Sequence, residues 1–279
     1  MWNRTAIGSV LALLGTCQIG SANTLSESLR PVERPLVQKI SLSAEPLAPP
    51  TLNPAGVIKG SDAGLKNWVN GFVLRAEAVG IDPKVLKKAL ADIHYDEEVI
   101  KRDRNQSEFT KTIWDYLDTA VSDLRIKNGK AALAKHDATL TAIEEKYGVD
   151  KEIVVAVWGL ESAYGSFRGS NKTIQSLATL AYDGRRGAFF ESQLIAALKI
   201  LQNGDTSASN MTGSWAGAMG HTQFMPTSYL EHAVDFTGDG KRNIWSDDPS
   251  DALASTAAYL AAFGWEKGMP WGVEVKLPN

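Results

Sequence analysis

Glu161 stands near the end of an apolar run, Val154-Val155-Ala156-Val157-Trp158-Gly159-Leu160-Glu161-Ser162-Ala163-Tyr164-Gly165. Lys151 and Glu152 open the run, which predicts a helix of about three turns, with Gly165 placed as its left-handed C-cap. A helix apolar on nearly every face is a buried helix. A carboxyl at its inner end loses water, so the neutral form is favoured and the pKa rises. Such a group holds a proton near neutral pH and can deliver it as a general acid. The bland alternative is a solvated Glu on a fraying helix end, and only the rest of the chain separates the two.

Two further stretches have residue types suited to chemistry. In Gly213–Pro226, small residues alternate irregularly with Trp215, Met219, Gln223 and Phe224, which suits neither helix nor strand periodicity. Glycines let a backbone approach a ligand closely, and Gln223 offers both donors and acceptors to hydroxyls or amides. A Gly-rich core turn would look the same. Asp235-Phe236-Thr237-Gly238-Asp239-Gly240-Lys241-Arg242-Asn243 begins like a calcium loop, with oxygen side chains at alternate positions and glycine at the sixth. Ser246 occupies the twelfth position instead of Glu, so Asp251 closes the site only in a longer loop. A metal-free Gly/Asp turn is the alternative there.

These stretches need elements to position them. The 279 residues suffice for one large domain or two small ones. A hydrophobic fraction of 44% and a charged fraction of 22% are those of an ordinary globular chain. A net charge of −3 supplies no basic stripe, which argues against nucleic-acid binding. His94, His136, His221 and His232 are scattered without metal-ligand spacing and read as structural or solvated.

Residues 1–22 read as a signal peptide: Arg4, an apolar run from Ala6 to Leu14, then small residues up to a cleavage site after Ala22. The run is too short for a permanent membrane span. Cleavage there leaves an exported chain without cysteine or disulfide. Leu14-Gly15-Thr16-Cys17 is a poor lipoprotein box and keeps a lipid anchor open as the minority reading. Residues 23–60, with prolines at 31, 35, 46, 49, 50 and 54, read as an extended linker.

Order is expected from Ser61. Leu65, Trp68, Val69, Phe72, Val73 and Ala76 predict a first helix, and Pro83 starts a second. The polar stretch from His94 to Glu108 reads as a link. A third helix bears Ile113 to Leu124, and a fourth runs from Gly129 to Tyr147, so that 61–148 forms a helical lobe. Beyond the Glu161 helix, further helices are predicted over Ile174–Tyr182, Phe189–Leu201 and Asp251–Phe263. Val273–Leu277 reads as the start of a strand.

Trp158-Gly159-Leu160-Glu161-Ser162, Ala178–Tyr182 with Arg185-Arg186, Gly213–Pro226, Asp235–Trp245 and Asp251–Trp265, in this order, resemble the B-type lytic murein transglycosylases. The likeness covers about residues 61–279, and Gly213–Pro226 is its most specific part. It implies a mainly α fold (an α+β lysozyme-like core over 149–279 beside the helical lobe, with a calcium-loop-like turn) and peptidoglycan glycan strands as substrate in a groove between the two. It implies Glu161 as the single acid/base. Ser214, Gln223, Phe224, Tyr259, Arg185 and Arg186 would line the groove. Asp235, Thr237, Asp239, the Lys241 carbonyl and Asp251 would hold a structural calcium ion, with no cofactor required for the chemistry. A periplasmic location and other cell-wall enzymes as partners are also implied.

The reaction implied cleaves the β-1,4 bond between N-acetylmuramic acid and N-acetylglucosamine without consuming water, and closes a 1,6-anhydro ring. One carboxylate serves it, whereas glycoside hydrolases usually need a pair. Departures from the family pattern are a chain that stops where a β-rich C-terminal portion would begin, Asn243 where many relatives have Asp, and Ser107 in place of a common proline. Alternatives are a hydrolytic muramidase, a peptidoglycan-binding protein without turnover, and a calcium-binding structural module.

Overall fold

A computed structural model describes residues 60–105, 112–269, 272 and 274–276. The expected signal peptide, the possible lipoprotein box at Cys17, nearly all of the expected linker and Ser107 lie outside these described residues. No described helix is long and apolar enough to cross a membrane.

Eleven helices and one two-stranded sheet are formed by the described residues. Helix α1 spans Asp62–Ala78, where the Ser61 hydroxyl accepts from the Gly64 N–H and so satisfies one orphan donor of the first turn. Helix α2 spans Pro83–Ala89, capped by Asp82 with Pro83 at its start. Helix α3, Glu97–Arg104, occupies the stretch expected to be a link. Its composition is mostly charged, but Asp96 caps it by accepting from the Glu98 and Val99 N–H groups, and Val99 and Ile100 are buried.

Two expected helices are broken differently. Helix α4 spans Ile113–Ala120 with a Thr112/Asp115 capping box, and α5 spans Asp123–Lys135. A turn at His136 then separates α5 from α6, Asp137–Tyr147. Apolar spacing continued through both breaks, so periodicity alone joined what the caps divide. Gly148, in a left-handed conformation, ends α6 as expected.

Helix α7 spans Lys151–Ser162 and α8 Thr173–Asp183. Helix α9 spans Gly187–Asn203, α10 Pro226–His232 and α11 Ser250–Ala262. Strand β1, Asn171–Lys172, pairs antiparallel with β2, Thr212–Gly213. The close pass of Gly169 beside this pair needs glycine, because a Cβ there would lie 2.2 Å from the Gly213 carbonyl. Residues 274–276 form no strand, contrary to expectation.

Two apolar cores hold the helices. In one, Leu65, Phe72, Leu86 and Val99 pack with Leu177, Phe190, Leu194 and Leu198. In the other, Leu140 and Ile143 of α6 pack with Val154, Val155 and Trp158 of α7 and Leu253, Ala254 and Ala257 of α11. Each core therefore draws on helices from both sides of residue 148. Full burial of a large aliphatic or aromatic side chain contributes about 1.5–3 kcal/mol, so α7 is held chiefly by this second core.

Candidate active site

Helix α7 is apolar in sequence but not buried all round. Val154, Val155, Trp158, Gly159 and Ser162 face the core, whereas Ala156 is exposed and Leu160 is 49% exposed. The open face is where Glu161 sits, so the apolar residues beside it form a wall and not a core. The helix ends at Ser162, four residues after Trp158, with Ala163 as C-cap two residues before the expected Gly165. Ala163, Tyr164 and Gly165 all have positive φ, at 48°, 59° and 83°. Two consecutive non-glycine residues in that region store strain of order 1–3 kcal/mol each. The chain thus turns sharply just behind Glu161.

Glu161 opens onto a pocket of about 350 Å³ that it shares with Val157, Gln223, Phe224, Tyr259 and Leu260. Its surface is exposed, yet the protein atoms around the carboxyl desolvate it and push its pKa above the ordinary glutamate value. No charged group contributes to that shift. Among the described residues, Glu161 is the only carboxylic acid lining the pocket. Such a group can donate a proton and take it back.

Gln223 sits at φ 53°, the third non-glycine residue of the described chain with positive φ. Its amide nitrogen donates to the Arg168 and Gly220 carbonyls, at 3.2 and 2.8 Å. That orientation leaves the side-chain carbonyl oxygen as an acceptor for a ligand N–H or O–H. Phe224 and Tyr259 meet edge to face, with ring centroids 5.8 Å apart, and Tyr259 also packs on His232 and Phe263. These rings make an apolar flank of the kind on which the C–H face of a sugar can rest.

Sequence reasoning missed Val157, Thr222, Met225, Ser228, Thr256 and Leu260, which also line the pocket. Thr222 and Met225 lie in the irregular glycine-rich stretch, so the signal was present there. Val157 and Thr256 reach the pocket only through the packing of α7 on α11. The Thr222 hydroxyl is buried without a hydrogen-bond partner among the described residues.

Three expected groove residues do not line this pocket. The Ser214 hydroxyl accepts from the Ala218 N–H, 3.1 Å away, within its own turn. Arg185 and Arg186 both grip Asp103, which is buried on α3. Burial alone would raise the Asp103 pKa, but the two guanidinium groups outweigh it and hold the carboxyl below the ordinary aspartate range. The two adjacent cations therefore staple α3 to the α8–α9 turn, with nearly half of each side chain still open to solvent.

The calcium-like turn is organised by two carboxylates. Asp235 accepts from the Gly238, Asp239 and Gly240 N–H groups. Asp251, 3% exposed, accepts from Phe236 and Thr237 through one oxygen and from Asn243 through the other. Oxygens of Asp235, Asp239 and Asp251 lie within 4.8 Å of one another. Among the described residues, no lysine or arginine forms an ion pair with any of the three. The donor set, hard oxygens packed closely without a cationic partner, fits a calcium ion.

The family model described as "Transglycosylase SLT domain" matches residues 64–279. The chain is 39% identical over 160 residues to the membrane-bound lytic murein transglycosylase B of Escherichia coli, covering 55% of this chain and 44% of that protein. A crystal structure of SltB3 from Pseudomonas aeruginosa in complex with NAG-anhNAM-pentapeptide is similar with a TM-score of 0.73 and 53% identity, covering 77% of this chain and 57% of that one. The E. coli lytic transglycosylase Slt35 in complex with calcium is similar with a TM-score of 0.64 and 32% identity, covering 74% of this chain and 65% of that one. The chain thus spans about half the length of the curated relative it matches.

Proposed function

The chain belongs to the transglycosylase SLT domain family, and from that premise we propose that it is a lytic transglycosylase acting on the glycan strands of peptidoglycan. The observation that carries the reading is the lone carboxylic acid of the pocket, Glu161, with its pKa raised by desolvation. Protonated, it delivers its proton to the glycosidic oxygen between N-acetylmuramic acid and N-acetylglucosamine, and the C1–O bond breaks. The acetamido oxygen of the muramic residue shields the positive charge that develops at C1. The Glu161 carboxylate then takes the proton of the C6 hydroxyl, O6 bonds to C1, and the 1,6-anhydro ring closes. The proton lent in the first step is recovered in the second, and no water is consumed.

Gln223 serves this reaction by presenting its free carbonyl oxygen to a substrate N–H, while Phe224 and Tyr259 carry an apolar sugar face. Ser214, Arg185 and Arg186 contribute through the shape of the neighbouring turns. The test is digestion of purified sacculi with mass spectrometry of the soluble products. Muropeptides ending in 1,6-anhydro-muramic acid are expected. Products heavier by one water would replace this reading with a muramidase, and sacculus binding without products would replace it with a binding protein.

We assign the calcium site to Asp235, Thr237, Asp239, the Lys241 carbonyl and Asp251, supported by the convergence of three carboxylates. Bound calcium would neutralise these charges and tie the turn to the start of α11; it takes no part in bond breaking. Asp239 is exposed and organises little besides the Lys241 N–H. Asp239→Ala is therefore expected to lower the melting temperature when calcium is present and to leave it nearly unchanged in excess chelator. An equal loss under both conditions in a thermal melt would remove calcium from the account.

Residues 1–22, read as a signal peptide, support export to the periplasm, with lipidation at Cys17 as the alternative. The lobe over 61–148 and the lysozyme-like portion over 149–279 would then border the glycan groove, where other cell-wall enzymes could act on the same strand.

A further inference from the structure

The last turn of α7 is tied down from behind the carboxyl it presents. Trp158, three residues before Glu161, donates its indole N–H to Nδ1 of His221 at 3.1 Å. Ser162, the next residue after Glu161, donates its hydroxyl to the His221 backbone carbonyl. The same hydroxyl accepts from the Gly165 N–H at 3.0 Å and so shapes the left-handed turn. His221 is 3% exposed. Its ring packs so closely on Gly165 that a Cβ there would lie 2.6 Å from both Nδ1 and Cε1.

The partners define the state of the imidazole. An indole N–H is only a donor, so Nδ1 accepts and carries no proton. With Nδ1 accepting, the ring proton sits on Nε2, which lies 2.8 Å from the Ser246 carbonyl, an acceptor, and at a longer 3.3 Å from an Arg168 guanidinium nitrogen. The ring is therefore a neutral Nε2–H tautomer. Arg168 donates to that same carbonyl and to that of Trp245, both at 2.8 Å. Burial, with the Arg168 guanidinium beside the ring, disfavours the imidazolium. The His221 N–H also donates to the Ile244 carbonyl. The ring and its backbone thus bolt the end of α7 to the 244–246 segment.

Resting on the assignment of Glu161 as the acid/base, we propose that His221 is a positioning residue: as a neutral Nε2–H imidazole it holds Trp158, and through it the last turn of α7, so that the Glu161 carboxyl keeps one direction in the pocket. Trp158 belongs to the second core and meets the rings of His136, Tyr164 and His221 edge to face. Packing alone fixes the position of such a ring more firmly than its rotation. The bond to Nδ1 fixes the rotation, and helix α7 carries that constraint one turn forward to Glu161. Misplacement of a reacting group by about 1 Å can cost on the order of a hundredfold in rate.

The test compares His221→Ala, His221→Asn and Trp158→Phe with the unaltered full chain. Turnover and KM are measured on soluble uncrosslinked glycan strands, alongside thermal melts. His221→Ala and Trp158→Phe are each expected to lower kcat by about tenfold to a hundredfold with KM nearly unchanged. Their combination should cost little more than either alone, because both remove one bond. His221→Asn should recover much of the loss, since its amide oxygen can accept from the indole where Nδ1 did. Wild-type turnover in Trp158→Phe, or losses that multiply in the double variant, would overturn the proposal. A readout independent of turnover keeps the two readings separate: the titration of the Glu161 carboxyl, followed by carbon-13 NMR. If the wild-type chain releases no anhydro products, the proposed reaction fails. The positioning role still stands or falls on whether Trp158→Phe moves that titration.

Discussion

Glu161→Gln is expected to lower the release of anhydro-muropeptides from sacculi by roughly a thousandfold, the scale of a general acid/base contribution. Glutamine keeps the size and polarity of the side chain but has no proton to lend and no carboxylate to take it back, so both steps lose their agent. Sacculus binding should persist, because Gln223, Phe224 and Tyr259 are untouched. Retention of most of the activity would show that another group does the chemistry.

The raised pKa of Glu161 sets the sign of two pH effects. The acid form persists to higher pH than for an ordinary glutamate, so the alkaline fall in kcat should lie above the usual carboxylate range. For stability, a carboxyl whose folded pKa exceeds its unfolded value binds its proton more tightly when folded. Its contribution is fully present below the unfolded pKa, near 4.3 for a model glutamate, and is lost as pH rises through the folded pKa. The ionised carboxylate is thus a cost at neutral pH. Glu161→Gln should melt slightly above the wild type at neutral pH, and that advantage should vanish in acid. A lower melting temperature at neutral pH would contradict desolvation of the carboxyl as the cause of its raised pKa.

Much of this site is legible in the sequence because its parts lie in short, unusual stretches. An acid at the end of an apolar run points to Glu161, and the glycine-rich stretch points to Gln223 and Phe224. What escapes is what tertiary packing supplies. The apolar run suggests a helix buried on all sides, because hydropathy does not distinguish a core face from an open one. Leu160 and Ala156 lie on the open face. The resemblance implies Arg185 and Arg186 as groove residues, but their partner is Asp103, on a helix 82 residues before Arg185 whose own composition hides it. His221 has no spacing to mark it, and its role depends on Trp158, 63 residues away in sequence.

Asp251→Ala is expected to destabilise the protein by about 3 kcal/mol even in excess chelator, because three backbone N–H groups lose a charged acceptor that water replaces only in part. For a chain of this size that is a fall of about 6–12 °C in melting temperature. Calcium should then restore almost nothing, since the buried ligand is gone, which contrasts with the calcium-conditional effect of Asp239→Ala. Asp251→Asn separates the two roles: it keeps an oxygen for Phe236 and Thr237 and should recover part of the loss in chelator, but it forfeits the negative charge that calcium needs. Asp251 is also the second residue of α11, the helix that brings Thr256 and Tyr259 to the Glu161 pocket. Loosening its first turn should therefore raise KM for glycan strands at temperatures well below melting, with kcat less affected because Glu161 is held from α7. A variant that melts like the wild type in chelator would mean that the turn is held by Asp235 alone. An unchanged KM would mean that the packing of Leu253, Ala254 and Ala257 against α6 and α7 suffices to place Tyr259.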